Sequence, residues 1–328
     1  MKLSAFTIVD DYPDRPEGPG ARLADVVRLA EGAEASGLEA LWVAEHHFQP
    51  SGICPAPAVL LAACGARTRR LRLGVLVSVL PFHRPIEVAE QYALLDQLLG
   101  GRLNLGVGSG YIPAEFEGFG VDPAQKRERF DSALATVLDA FAGREVRMEG
   151  AASPVRLNVL PVQRPHPPVW IAVQRREAIP FVARRGTSVA LIPYATVSGL
   201  PELAEEIREF RAALPSGNRA GVTVGLHLYA GEHPDRARSA LDRFLESRLR
   251  TQSTFYQAKS AADAHRASRA GLEESDLALI GSPREVAERL EGFRRIGVDE
   301  VAGIFDFGGL PTDDVLASVR ALGHAYRP

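Results

Sequence analysis

Residues 71–79 read LRLGVLVSV, an almost uninterrupted apolar run. The run is far below the roughly 20 residues that a membrane-spanning helix needs. Its composition of leucine and valine is typical of a strand that is buried on both faces. Strands of this kind occur in parallel sheets that are covered by helices on both sides. The run therefore predicts a buried parallel sheet.

Strand-like and helix-like segments alternate along the chain on both sides of this run. We predict eight strands, at residues 3–9, 41–44, 71–79, 103–107, 169–173, 188–192, 222–229 and 300–305. Amphipathic segments separate them, and two of these segments stop at Gly37 and Gly100. Eight strands with intervening helices in 328 residues favour a (β/α)8 TIM barrel over an open doubly wound sheet.

One barrel of this size accounts for the whole chain, so we predict a single domain over residues 1–328. Two segments interrupt the alternation, a proline-rich one at about 144–168 and a polar one at about 250–282. We interpret them as long insertions after strands 4 and 7. Loops of this length in a compact domain are commonly lids or binding loops.

The composition excludes several classes of protein. The 38 Lys and Arg and 41 Asp and Glu residues give a net charge of −3, which favours neither nucleic acid nor an anionic membrane. Cys54 and Cys64 form neither a disulfide framework nor a zinc spacing. The first residues lack the apolar core of a signal peptide. We therefore expect a cytoplasmic protein that acts on small molecules.

Polar or glycine-rich residues follow six of the eight predicted strands. Strand 2 ends in Glu45-His46-His47, strand 4 in the glycine-rich segment 106–110, and strand 5 in Gln174-Arg175-Arg176. The chemistry of TIM barrels lies at the carboxyl ends of the strands. This end of the barrel is therefore expected to be a binding mouth.

The Glu45-His46-His47 cluster has three interpretations: a catalytic site, a metal site or a hydrogen-bonded strand end. Histidine serves as acid or base near neutral pH, and Glu45 or a backbone carbonyl would fix its tautomer. A metal site is the weaker interpretation, because adjacent strand side chains point to opposite faces and no second His/Glu pair supplies the missing ligands. We therefore predict no metal.

The glycine-rich segment 106–110 allows a ligand to approach the backbone closely. It is not a dinucleotide fingerprint, because residues 111–113, Tyr-Ile-Pro, do not begin a helix there. Ser109, Arg127 and Arg175 supply a hydroxyl and cations that suit a single phosphate. The alternative is that the arginines are solvated or paired with neighbouring carboxylates such as Glu177.

Four collinear passages also carry a resemblance. They are residues 41–48 (LWVAEHHF), residues 80–97 with LPFHRP, AEQ and LLDQ, residues 100–122 beginning GGRLNLGVGSGY, and residues 281–299 beginning GSPREVA. Together they resemble the bacterial luciferase-like flavin-dependent monooxygenases. The passages span most of the chain, although each motif alone is weak.

The resemblance implies a (β/α)8 barrel that binds reduced FMN at the mouth, usually as a homodimer. It implies that His46 acts as the acid/base residue near the flavin, and that a cis peptide bond between Leu76 and Val77 supports the isoalloxazine ring. The groups that it matches to the phosphate site are Gly108, Ser109, Gly110, Arg127, Gln174 and Arg175. Many relatives have arginine at Ser109 and small residues at Arg175, which indicates that the phosphate contacts are exchanged between loops. Gly108 also replaces a reactive cysteine known in luciferase.

The implied activity is that of a two-component monooxygenase. A separate flavin reductase supplies FMNH2. The reduced flavin reacts with O2 and forms a C4a-hydroperoxide, which inserts one oxygen atom into an organic substrate. A hydrophobic substrate is favoured by the aromatic residues Phe6, Phe48, Phe82, Tyr111 and Phe307. The frequent Ala, Arg and Gly suggest a GC-rich bacterium and an association with secondary metabolism. The alternatives are an F420-dependent hydride-transfer oxidoreductase and a non-catalytic flavin-binding protein.

Overall fold

A computed structural model of the chain describes residues 1–12, 18–49, 52–148, 150, 152–251, 265 and 267–326. Within these residues one sheet contains all nine named strands. They are β1 (Lys2–Thr7), β2 (Ala40–Val43), β3 (Arg72–Val79), β4 (Leu103–Gly108), β5 (Val169–Val173), β6 (Ser188–Leu191), β7 (Val222–Ala230), β8 (Ala278–Gly281) and β9 (Glu300–Ile304).

The α-helices of the described residues lie between the strands and after the last one. They are α1 (Gly18–Ala35), α2 (Pro57–Arg67), α3 (Pro85–Leu98), α4 (Pro113–Gly118), α5 (Lys126–Phe141), α6 (Ile179–Arg184), α7 (Leu200–Ala213), α8 (Pro234–Thr251), α9 (Arg269–Glu274), α10 (Pro283–Arg295) and α11 (Thr312–Ala325). Several begin with proline, whose fixed φ and missing N–H suit the first helical position. One of these is α4, which starts at Pro113, where the sequence analysis expected no helix to begin. Ser282 and Glu285 form a reciprocal capping box at the start of α10.

The sheet closes into a barrel. Strands β1 to β7 are neighbours in chain order and all of their pairings are parallel. Strand β9 pairs with β1 on one side and with β7 on the other. Eight parallel strands therefore form the closed ring, and the predicted (β/α)8 TIM barrel is confirmed.

The ninth strand is an addition to this ring. Strand β8 pairs with the carboxyl end of β7, from His227 to Ala230. It lies with α9 inside the segment 250–282. The sequence predicted a loop over this whole segment, and that prediction is wrong where α9 and β8 lie. A four-residue apolar strand is too short to show a periodicity, so the pattern did not reveal it. Residues 252–264 and 266 of that segment lie outside the described residues.

The first predicted insertion, residues 144–168, lies between α5 and β5 and contains none of the named strands or helices. Val146 and Val155 form an isolated antiparallel bridge within it. This bridge gives the segment a local fold beside the barrel. The assignment of residues 1–328 to a single domain stays a prediction.

A polar layer fills the barrel interior near the amino ends of the strands. The indole rings of Trp42 and Trp170 meet edge to face, with centroids 5.0 Å apart. Oε1 of the buried Glu300 accepts hydrogen bonds from Ser4 Oγ at 2.5 Å and Trp42 Nε1 at 2.8 Å. Trp170 Nε1 donates to Thr223 Oγ1 at 3.0 Å. The interior is thus packed below the mouth, as is usual for TIM barrels.

The two cysteines are buried free thiols. Burial raises the pKa of Cys54 and of Cys64 to about 12, so both are protonated at neutral pH. In the described part of the chain, every helix is too short or too polar to cross a membrane. The cytoplasmic location stays a prediction.

We expect the replacement Glu300→Gln to stabilise the protein increasingly as the pH rises. Burial raises the pKa of Glu300, so its stabilising contribution is full below the ordinary value of 4.5 and is lost as the pH rises through the folded-state value. The glutamine oxygen can still accept from Ser4 and Trp42. Urea unfolding at a series of pH values from about 5 to about 8 would measure the difference. A difference that is independent of pH would contradict this assignment.

Candidate functional site

His46 lies in the loop after β2, at the carboxyl end of the barrel, and is only 8% exposed. Its backbone N–H donates to the carbonyl of Cys54 at 3.1 Å. Gly52 packs directly against the imidazole, since a Cβ at that position would lie 2.6 Å from His46 Cβ. Backbone and glycine thus hold the predicted catalytic residue in one place.

The carboxylate of Glu115 on α4 holds this loop. Its Oε1 lies 3.1 Å from His46 Nδ1 and accepts from the backbone N–H of His47 and from Gln49 Nε2, each at 3.0 Å. Glu115 is itself buried. One carboxylate oxygen therefore connects α4 to three residues of the loop that carries His46.

This contact corrects the expectation that Glu45 sets the tautomer of His46. The acceptor on the Nδ1 side is Glu115, while Glu45 faces other partners. Burial lowers the pKa of His46, and the positive charge of Arg248 lowers it further, against the opposing effect of Glu115. The imidazole is therefore neutral at pH 7, and with Nδ1–H donated to Glu115 its Nε2 is a proton acceptor.

Glu45 forms a second hydrogen-bonded group with His47 and His83. Its Oε1 lies 3.1 Å from His47 Nε2 and 2.7 Å from His83 Nε2. Burial alone would raise the pKa of Glu45, but these two histidines hold it below its ordinary value. Burial opposes the ionisation of His83, yet the bond to Glu45 raises the pKa of His83.

The ligand atoms of these three residues lie within 4.8 Å of one another, close enough to share a metal ion. The sequence did not foresee this grouping, because His83 follows a different strand. The hydrogen bonds to Glu45 account for both Nε2 atoms without an ion. The absence of a metal site stays a prediction.

Strands β3 and β4 approach each other closely at the mouth. The peptide bond between Leu76 and Val77 is cis, as the resemblance implies, and the register of the two strands shifts between Val75 and Ser78. A Cβ at Gly106 would lie 2.4 Å from the Val75 carbonyl oxygen, and one at Gly108 would lie 2.6 Å from Val77 Cγ2. Glycine is thus required at both positions for β4 to pass the irregular end of β3.

Two cations meet at the rim beyond β4 and β5. Lys126, at the start of α5, donates from Nζ to the Gly110 carbonyl at 3.3 Å. Burial lowers the pKa of Lys126, and the nearby charge of Arg175 lowers it further. Within the described residues, neither side chain has a carboxylate partner. Adjacent positive charges without a counter-ion suit an anion such as a phosphate.

The other predicted phosphate residues divide into two groups. Ser109 and Gln174 are half-buried and follow β4 and β5 at the same rim. Arg127 lies with its guanidinium 3.5 Å from the centre of the Phe181 ring and pairs with Asp131 at 3.2 Å. Its predicted part in phosphate binding stays a prediction. Lys126, which the sequence analysis missed, occupies the place nearer Gly110; on sequence alone it is one more charge at a helix start.

Arg176 is paired with carboxylates, which is the alternative that the sequence analysis gave for these arginines. It forms ion pairs with Glu209 at 2.5 Å and with Glu205 at 3.2 Å, both on α7. The partners differ from the sequence neighbour Glu177, because α7 packs beside α6 in the fold. This pairing directs Arg176 toward α7, whereas Arg175 and Lys126 have no acidic partner in the described part of the chain.

A further buried network, also missed from the sequence, joins the ends of β1 and β9. Arg22 Nη2 pairs with Asp306 Oδ2 at 2.6 Å, and Thr7 Oγ1 donates to the same oxygen at 2.6 Å. Tyr12 donates to Asp10 Oδ2 at 2.5 Å. These contacts order the side of the mouth opposite β4 and β5.

Comparison with curated proteins shows relatives that match part of the chain and others that align over most of it. The 4-hydroxyprotoasukamycin monooxygenase of Streptomyces nodosus is 42% identical over 129 residues, 39% of this chain and 35% of that protein. The oxygenase component of the flavin-dependent trigonelline monooxygenase of Acinetobacter baylyi is 24% identical over 94% of this chain and 90% of that protein. The chain spans only 35% to 57% of the lengths of the three relatives of higher identity that head the comparison.

Solved structures share the architecture along the whole chain. The monooxygenase RslO1 of Streptomyces bottropensis superposes with a TM-score of 0.84 at 25% identity, covering 99% of this chain and 98% of that one. The FMN complex of the oxygenating constituent of 3,6-diketocamphane monooxygenase of Pseudomonas putida gives 0.79 at 17%, covering 98% and 97%. An F420-dependent tetrahydromethanopterin reductase of Methanopyrus kandleri gives 0.73 at 16%, covering 99% and 98%. At these last two identities the likeness concerns the fold.

The decisive comparison is with a whole family. The sequence pattern described as luciferase-like monooxygenase matches residues 1–300, which include strands β1 to β8 and the first residue of β9. The closed barrel and the cis bond at Leu76-Val77 agree with that match. The chain therefore belongs to the luciferase-like monooxygenase family.

Proposed function

We propose that this protein is a flavin-dependent monooxygenase that uses reduced FMN and O2 to insert one oxygen atom into a hydrophobic organic substrate. The observation that carries the proposal is the placement of His46. It is a buried, neutral imidazole anchored through Nδ1 by Glu115, at the same mouth as the close approach of Gly108 to Val77. The names of the relatives support the same reaction class.

The residues present fit a flavin mononucleotide. Because Gly106 and Gly108 have no side chains, the backbone of β4 packs directly against residues 75–77, and in this proposal that close-packed surface supports the flavin ring. Lys126 and Arg175 supply positive charge for one phosphate, with Ser109, Gly110 and Gln174 at the same rim. Reduced FMN, when bound, would supply the two electrons that activate O2, so that one oxygen atom of O2 enters the substrate and the other leaves as water.

The role of the protein is to manage protons and to exclude water. A neutral His46 can accept a proton at Nε2, and the carboxylate of Glu115 then stabilises the resulting imidazolium through Nδ1–H. The burial of His46, Glu115 and Glu45 keeps this side of the mouth away from solvent. Glu45, His47 and His83 hold the backbone on either side of His46 and are positioning residues.

The partners are part of the proposal. A separate reductase would supply the reduced FMN, as the name "oxygenase component" implies for the trigonelline relative.

Val59 on α2 and Leu94 and Leu98 on α3 are large apolar side chains that are exposed. A patch of this kind supports a homodimer through these helices, and sedimentation of wild type and Leu98→Glu would test it.

We expect Lys126→Ala to weaken the binding of reduced FMN by about tenfold or more, because a charge-assisted contact to the phosphate is lost. The binding of reduced riboflavin, which lacks the phosphate, should not change. Anaerobic titration measures both, with the exposed Arg129→Ala on the same helix as the matched control. Equal losses for FMN and riboflavin would place the phosphate elsewhere.

We expect Gly108→Ala to weaken flavin binding, because the new methyl group displaces Val77, which supports the flavin ring in this proposal. The double variant Gly108→Ala with Val77→Ala removes Cγ2, the atom that collides, and should recover most of the loss. The flavin dissociation constants of the single and double variants measure this coupling. Additive losses would show that Gly108 and Val77 do not act together.

We expect His46→Asn to keep its affinity for reduced FMN within about twofold and to lose about a hundredfold of oxygenation, since a positioned base is removed. The measurement is product formed per reduced FMN consumed, with long-chain aldehydes, cyclic ketones and terpenes as probes. The surface variant His324→Asn is the control. An unchanged yield in His46→Asn would remove His46 from the mechanism.

The wild type also tests the two alternative functions. If it reduces F420 with an alcohol, the hydride-transfer alternative replaces the proposal. If it binds flavin but shows neither activity, the result favours a non-catalytic protein.

A further inference from the structure

His227 is the buried side chain that the proposed function leaves unused. It lies on β7 and is fully buried. Neither Nδ1 nor Nε2 has a hydrogen-bond partner among the described residues. A buried polar group without a partner destabilises a fold, so such a group calls for a ligand or a function.

The imidazole points toward the mouth. Alternate residues of β7 face the barrel interior: Thr223 meets Trp170, and a Cβ at Gly225 would meet Ile192 and Phe6. His227 is the next residue in this inward row, one layer nearer the carboxyl ends of the strands. It therefore lies nearer the mouth than Thr223 and Gly225 do.

Three aromatic rings surround the imidazole. The centroids of Phe244, Tyr194 and Phe307 lie 4.6, 4.8 and 5.2 Å from that of His227, each at a steep angle to it. They come from α8 and from the loops after β6 and β9. Flat apolar walls of this kind match an aromatic ligand.

A buried cation lies beside this group. Arg248 on α8 is 2% exposed, and its guanidinium lies 5.1 Å from the centre of the Phe244 ring. Its charge acts on both His227 and His46, lowering the pKa of each, so it lies within electrostatic range of both. Burial and this charge lower the pKa of His227 to about 3, which leaves a neutral ring with one N–H donor and one acceptor.

We propose that His227 and Arg248 form the polar end of the substrate pocket and bind an oxyanion carried by an aromatic substrate. The His227 N–H and the guanidinium would donate to a carboxylate or phenolate oxygen, while Tyr194, Phe244 and Phe307 contact the ring. Phe244 covers the imidazole in this structure, so binding displaces that side chain. The inference rests on the proposed function, since it names the substrate class of the same mouth.

Equilibrium binding to the full-length apoprotein tests the inference without any turnover. The probes are 2-naphthoate, the neutral 2-naphthamide, and 4-nitrophenolate at a pH where it is ionised. We expect 2-naphthoate or 4-nitrophenolate to bind about tenfold or more tightly than the amide, because charged hydrogen bonds are formed. Whichever anion binds more tightly identifies a carboxylate or a phenolate as the group recognised.

Two variants separate recognition from folding. His227→Leu removes both ring nitrogens at similar volume and should abolish the preference for the anion, while His227→Gln keeps one donor and one acceptor and should retain part of it. His227→Leu should also melt a few degrees higher than wild type, since it removes an unsatisfied polar group. The surface variant His324→Leu is the control for both measurements.

Three results would overturn the inference: no preference for either anion in the wild type, an unchanged preference in His227→Leu, or a lower melting temperature of His227→Leu with the preference intact. The affinity for reduced FMN is measured in parallel on the wild type and His227→Leu. A wild type that binds the anion but not reduced FMN contradicts the proposed function and leaves His227 as an anion site. A wild type that binds reduced FMN but no anion contradicts only this inference.

Discussion

The Oε1 atom of Glu115 connects two segments of the mouth that the backbone alone would leave independent. It contacts His46 Nδ1, the backbone N–H of His47 and Gln49 Nε2, all within 3.1 Å. Because the carboxylate is buried, hydrogen bonds from these groups replace the ones it would form with water. Without them the buried carboxylate would destabilise the folded protein. The orientation of His46 thus depends on α4 as much as on β2.

The two hydrogen-bonded groups on either side of this residue have separate tasks. Glu115 faces His46, whereas Glu45 binds His47 and His83 and joins the ends of β2 and β3. His46 and His47 are adjacent residues of an extended segment, so their side chains point in opposite directions and contact different carboxylates. His46 is therefore held from one side while the loop that carries it is held from the other.

The sequence could predict the eight barrel strands because each is an apolar run of ordinary length, and it could predict the mouth because polar residues follow those runs. The cis bond between Leu76 and Val77 followed from the family resemblance and is present. The carboxylate beside His46 could not be predicted, since Glu115 lies 69 residues away along the chain. Strand β8 was missed because its burial depends on β7, to which it pairs.

The cationic residues near the ends of β4 and β5 show the same limit of prediction from sequence. Arg176 has the right charge and position in sequence, but the fold pairs it with Glu209. Arg127 also has an acidic neighbour, Asp131, and its part in phosphate binding stays a prediction. Lys126 resembles any charge at a helix start until its contact with Gly110 and its proximity to Arg175 are known. Charge is visible in a sequence, whereas the presence or absence of a partner depends on the tertiary structure.

The pairing of β8 outside the closed ring has a consequence for how the family could diversify. Arg238 on α8 pairs with Glu273 on α9 at 3.0 Å, Arg269 pairs with Asp242 at 2.9 Å, and β8 continues from α9 onto β7. The chain between α8 and α9 therefore starts and finishes on elements that are fixed to one another and to the barrel. Insertions, deletions and substitutions there leave the register of the eight ring strands unchanged. Selection can vary this segment as an exchangeable module while the barrel is inherited intact.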